Sequence, residues 1–94
     1  PAYFYYFSEN MISAAIKLGM PEKLARELVE QTLLGSALLK QDSKDSLAKL
    51  RAKVTSKGGT TEAAINSFTK ERLETIVIKA IECAYKKSLE LSKR

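Results

Sequence analysis

Apolar residues recur at helical spacing along most of the chain, and nowhere do they alternate as they would in a strand. Phe4, Phe7, Met11, Ala14 and Leu18 follow one another at intervals of three and four, which places them on one helical face. Tyr3, Tyr6, Ile12 and Ile16 widen that face until little polar surface remains. A helix apolar nearly all round is usually buried on several sides. Gly19 then supplies a C-terminal stop, and Pro21 suits the first turn of a second helix.

The spacing predicts that second helix from about Pro21 to about Gln41. Leu24, Leu28, Leu34 and Leu38 form its apolar face, with Glu22, Lys23, Arg26, Glu27 and Glu30 turned outward. Gly35 lies inside the pattern, where glycine costs about 1 kcal/mol relative to alanine. Its presence suggests a close crossing with another helix. After a polar break at Asp42, Ser43, Lys44 and Asp45, a short helix carries Leu47, Leu50 and Val54. A fourth carries Ala64, Ile65 and Phe68, and a fifth carries Leu73, Ile76, Ala80, Ala84 and Leu91, with Thr69 as its expected N-cap. Lys86, Lys87, Lys93 and Arg94 gather near its end, where cations suit the helix dipole. The fold class is therefore all-α, with about five helices and no internal repeat or linker.

Composition narrows the chemistry. At 94 residues the chain is one domain, and a globule of this size buries only about two-thirds of its unfolded surface. Yet 45% of its residues are hydrophobic, with four tyrosines and three phenylalanines among them. That excess implies a partner. There is no histidine and one cysteine, Cys83, which excludes an internal disulfide, a Ser/His/Asp triad and an ordinary zinc site. Cys83 reads as a small core residue, and the lone thiol suits a reducing, cytoplasmic setting. The opening apolar run is too short to span a bilayer, and no membrane association is expected. Beginning at Pro1 rather than Met, the chain reads either as a product of proteolytic maturation or as a piece of a longer protein. A formal charge of +5 permits anionic partners, and a small basic nucleic-acid-binding module is the rival reading. Acidic residues are scattered through the same helices, however, and no recognition helix with a dense Arg/Lys face stands out.

One stretch lacks apolar periodicity: Thr55-Ser56-Lys57-Gly58-Gly59-Thr60-Thr61. It combines four hydroxyls, a lysine and a Gly-Gly pair directly before a helix. Glycines let backbone amides approach a ligand, and the first amides of a helix lack internal acceptors and carry its positive dipole end. On pattern alone the segment is either a helix–helix connection or a seat for a small anion such as a carboxylate. The spacing is not that of a nucleotide P-loop.

The stretch from Leu50-Arg51-Ala52-Lys53-Val54 through this loop to Glu62-Ala63-Ala64-Ile65 closely resembles the signature of pyrroline-5-carboxylate reductases. Pro1-Ala2-Tyr3-Phe4 resembles the start of that family's C-terminal domain. Lys17-Leu18-Gly19-Met20-Pro21 is similar to its first inter-helix turn, Gln31 to Ala37 to its second long helix, and Ala80 to Leu91 to its last. The resemblance implies a C-terminal dimerisation and substrate-binding domain over residues 1–94, with an N-terminal Rossmann domain outside it. It implies an intertwined homodimer, with higher oligomers open in the full enzyme. It also implies reduction of 1-pyrroline-5-carboxylate to L-proline with NADP or NAD as the cofactor couple. No cofactor is expected on these residues and no turnover from them alone. By resemblance, Ser56, Gly58, Gly59, Thr60 and Thr61 hold the substrate carboxylate through hydroxyls and through the backbone amides around Gly59, Thr60 and Thr61. The Thr61 hydroxyl lies near the ring nitrogen and is the catalytic candidate. Three departures stand out. Lys57 occupies a position where many relatives have proline, Ala52 and Lys53 replace more polar or acidic residues, and Thr69-Lys70-Glu71-Arg72 lacks the glycines often found there.

Overall fold

Five α-helices make up the computed structural model, which describes residues 1–93: α1 Ala2–Lys17, α2 Glu22–Gln41, α3 Leu47–Lys53, α4 Thr60–Lys70 and α5 Leu73–Ser92. No strand occurs among the described residues. The all-α class and the helix order follow the apolar spacing. The chain divides into two compact units, Pro1–Leu50 and Arg51–Arg94.

In the first unit α1 packs against α2. The stop after α1 is a double closure: the Gly19 N–H donates to the Ile16 carbonyl and the Met20 N–H to the Ala15 carbonyl, both at 3.0 Å, with Gly19 at φ +108°. Pro21 stands one residue outside α2 as its N-cap, in an extended conformation, with its carbonyl receiving the Ala25 N–H at 2.9 Å. Glu22 accepts from Arg26 at 2.7 Å, an exposed pair one turn apart worth about 0.3–0.5 kcal/mol. Ala25 is the one apolar side chain fully withdrawn from water among the described residues. Ser8 is also buried, and it keeps its hydroxyl satisfied by donating to the Phe4 carbonyl at 2.8 Å.

The close crossing expected at Gly35 is not made within one chain. Outside its own helix, no atom lies within 4 Å of where a Cβ would stand. The wide apolar face of α1 is likewise uncovered: Tyr3, Phe4, Tyr5 and Tyr6 are 61–69% exposed.

In the second unit α4 packs against α5. Two expectations are corrected here. Thr69 does not cap α5. It lies inside α4, where its hydroxyl donates to the Ile65 carbonyl at 3.0 Å, because α4 continues to Lys70. The chain turns instead at Arg72, whose backbone is left-handed (φ 62°, ψ 48°) and whose carbonyl receives the Ile76 N–H. Cys83 is exposed rather than part of a core, since the packing of α4 on α5 does not cover it. Ile76, Tyr85 and Leu89 on α5 are also open to solvent. Among the described residues, no helix is long and apolar enough to cross a membrane.

The left-handed backbone at Arg72 carries a steric penalty of about 1–2 kcal/mol for a residue with a Cβ, which glycine avoids. Arg72→Gly is expected to raise stability by about 0.5–1 kcal/mol, after allowing for the extra freedom glycine gains when unfolded. Denaturant unfolding checks this, and a fall in the midpoint at constant slope would show that the Arg72 side chain contributes more than its backbone strains.

Candidate functional site

The hydroxyl- and glycine-rich loop joins α3 to α4, and its geometry begins with the end of α3. Ser46 caps the start of α3, its Oγ accepting the Lys49 N–H at 3.1 Å. The last turn tightens, with the Val54 N–H donating to the Arg51 carbonyl and the Thr55 N–H to the Ala52 carbonyl. The Thr55 hydroxyl also donates to the Arg51 carbonyl, which commits it to the helix end.

Residues 56–59 then form a β-turn closed by the Gly59 N–H donating to the Ser56 carbonyl at 3.0 Å. Gly58 has φ +75° and Lys57 is not in the left-handed region, the pattern of a type II turn with glycine at its third position. At Gly59 the requirement is close approach rather than dihedral freedom. A Cβ there would lie 3.2 Å from the Ser56 carbonyl oxygen and 3.4 Å from the Ser56 Cβ. The Gly-Gly pair thus serves two different steric demands in successive residues.

Gly59 is the N-cap of α4 and contributes no side-chain cap. The amides of Thr60 and Thr61 therefore open the helix without an intrahelical acceptor, at the positive end of its dipole. The Gly58 N–H is not available to a ligand, because it donates to Oε1 of Glu62 at 3.0 Å. The Gly59 N–H is committed as well. Of the backbone donors expected around Gly59, Thr60 and Thr61, those of Thr60 and Thr61 remain.

The hydroxyls separate in the same way. Thr32, Thr55 and Thr69 each donate to the carbonyl four residues back. Ser56, Thr60 and Thr61 have no such bond among the described residues. The structure brings Ser56, Gly58, Gly59, Thr60 and Thr61 together in one turn and the helix start that follows it. All of them are at least partly exposed. The arrangement has the donors a carboxylate needs: two helix-start amides and neighbouring hydroxyls, with the Lys57 cation in the turn itself. Glu62 was missed in the sequence. Its signal was available, as an acidic residue at the third helical position is half of a capping box.

No group of three or more His, Cys, Asp or Glu side chains is placed to hold a metal among the described residues. Nor do these residues fit a dinucleotide: the Gly-Gly pair follows a helix, whereas a pyrophosphate-binding turn follows a strand. A concavity of about 610 Å³ lies between α4 and α5 against Phe68, Leu73 and Val77, with Arg51 and Arg72 among its lining residues. It includes no residue from 55 to 61 and reads as a packing face rather than as part of the loop site.

Comparison with known proteins places this geometry in a family. The family model described as pyrroline-5-carboxylate reductase dimerisation matches residues 1–91. The pyrroline-5-carboxylate reductase of Pseudomonas aeruginosa is 42% identical over 94 residues, covering 100% of this chain and 34% of that protein. Pyrroline-5-carboxylate reductase 3 of Xenopus laevis is 38% identical over 93 residues, covering 99% of this chain and 34% of that protein. Among solved structures, Plasmodium falciparum pyrroline carboxylate reductase with NADP bound superposes with a TM-score of 0.88 at 35% identity, over 94% of this chain and 36% of that one. The chain spans about a third of the length of the curated relatives it matches. A nucleic-acid-binding module finds no support among these matches.

The turn geometry yields a stability prediction. Lys57 stands at the second position of a type II turn, where proline is favoured, and its N–H makes no hydrogen bond among the described residues. Lys57→Pro is expected to stabilise the protein by about 0.4–1 kcal/mol by restricting the unfolded chain. Gly59→Ala is expected to do the reverse, because its methyl would press on the Ser56 carbonyl. Thermal melts of the two variants check the pair, and destabilisation by proline would show that the turn is not held as described.

Proposed function

The chain belongs to the pyrroline-5-carboxylate reductase dimerisation family, and from that premise we propose that it is the C-terminal domain of a reductase converting 1-pyrroline-5-carboxylate to L-proline with NAD(P)H. The observation that carries this reading is the match over residues 1–91, which takes in the whole of loop 55–61. The dinucleotide belongs, on this reading, to an N-terminal Rossmann domain, and the residues described here act on the substrate alone.

Their task is positioning. The amides of Thr60 and Thr61 receive the substrate carboxylate at the start of α4, where the helix dipole favours negative charge. The Ser56 hydroxyl adds a directed donor, and the turn at Gly58 and Gly59 sets the distance between Ser56 and the helix start. With the carboxylate held, the ring nitrogen falls to the Thr61 hydroxyl, which makes Thr61 the catalytic candidate. Fixing the ring in one orientation replaces a random encounter by a directed one, which is where most of the domain's contribution to rate resides.

The second role is assembly as an intertwined homodimer, on which larger oligomers of the full enzyme would build. Its support is the apolar surface that one chain leaves in water: Phe4 at 69%, Tyr6 at 69%, Ile76 at 57% and Tyr85 at 63% exposure. Gly35, open on the outer side of α2, suits the close approach of a partner helix. A lone thiol, exposed in the single chain, accords with a cytoplasmic setting.

In the full-length reductase, Thr61→Ala removes a hydrogen bond to a charged partner, worth about 1.5–3 kcal/mol. Catalytic efficiency is expected to fall by about one to two orders of magnitude with the melting temperature unchanged. Steady-state kinetics beside a thermal melt decides the matter: unchanged kinetics with a lowered melting point would make Thr61 a structural residue and sink the reading. Sedimentation tests the assembly separately, with a dimer expected at micromolar concentration and a stable monomer counting against it.

A further inference from the structure

The strongest unassigned feature is the reach of Glu62 back into the turn. Its Oε1 accepts the Gly58 N–H at 3.0 Å, across four residues, and the Glu62 side chain is half-buried at the foot of α4. The hydrogen bond falls on the one peptide in the turn with two accessible orientations. Type I and type II turns differ by a flip of the central peptide, here the one joining Lys57 to Gly58. In the observed orientation Gly58 lies at φ +75° and its N–H faces Glu62, so the Lys57 carbonyl, on the opposite edge of the same peptide, points away.

A flip would exchange the two. The Lys57 carbonyl would then face the Glu62 carboxylate and the opening of α4, where a second negative end is unfavourable for an incoming anion. Glycine at position 58 adopts either orientation without a Cβ penalty. The restraint on the peptide therefore falls to the Glu62 hydrogen bond.

Resting on the carboxylate-binding role proposed above, we infer that Glu62 is a positioning residue that latches the Lys57–Gly58 peptide in its type II orientation and so keeps the seat at Thr60 and Thr61 open to the substrate carboxylate. Glu62 touches no substrate atom in this account. It acts through the turn, and what matters is an acceptor oxygen at glutamate length rather than its charge.

The full-length reductase tests this with three variants. Glu62→Ala removes the acceptor and is expected to raise KM for 1-pyrroline-5-carboxylate about three- to tenfold, with kcat changed less than about twofold. Glu62→Gln keeps an oxygen at the same reach and should restore KM to near the parent value. Glu62→Asp keeps the charge in the first turn of α4 but falls one methylene short, so it should resemble alanine, and it holds the test open if the alanine variant does not fold. A KM unchanged in both Glu62→Ala and Glu62→Asp overturns the latch. So does a KM lowered by both Ala and Gln, which would mean that the carboxylate merely repels substrate. If Thr61→Ala impairs the enzyme while all three Glu62 variants behave as the parent, the latch alone falls. If the parent does not reduce the imine at all, the functional reading falls with it.

Discussion

Apolar surface that one chain cannot cover governs most of what this domain is. Its helices are broad-faced, and α1 carries aromatic side chains over so much of its circumference that no single neighbour could bury them. Packing α1 on α2 fully withdraws Ala25 and little else that is apolar. The faces left open in the single chain include Tyr3 to Tyr6 on α1 and Ile76 to Ile81 on α5, and the family's description as a dimerisation domain agrees with this. Gly35 fits the same account: among the described residues, no atom outside its own helix lies within 4 Å of where its Cβ would stand.

The site is built on a different economy. Loop 55–61 has little apolar burial to hold it and relies on hydrogen bonds that commit several of its donors. Thr55 closes α3, the Gly59 amide closes the turn, and the Gly58 amide is taken by Glu62. Among the donors left uncommitted are the amides of Thr60 and Thr61 and the hydroxyls of Ser56, Thr60 and Thr61. The amides of Thr60 and Thr61 form a short row at the positive end of the α4 dipole.

Backbone strain is concentrated away from that row. Arg72 adopts a left-handed conformation between α4 and α5, at the point where the chain must reverse to lay one helix against the other. Glycine would make the same reversal without the steric penalty. The packing of α4 on α5 is thus favourable enough to hold an arginine in a conformation it would otherwise avoid, and it carries the second unit that also presents the loop.

Helix number and order were legible from the spacing of apolar positions, because a period of three to four is a local property that needs no partner. The loop was legible too, since glycines and hydroxyls without periodicity stand out against helical sequence. Other assignments depended on distances between residues that no spacing encodes. Thr69 has the composition of a cap, yet it lies inside α4 because the reversal comes three residues later, at Arg72. Cys83 has the company of core residues, yet it is exposed in the single chain. The Gly59 amide belongs by motif to the anion seat, and the turn takes it instead. The sequence by itself determined five amphipathic helices and a loop rich in donors, through periodicity and residue chemistry. Only the tertiary structure decided which donors the fold consumes, which faces stay open and where the chain turns back, because these follow from which groups come within reach of one another in space.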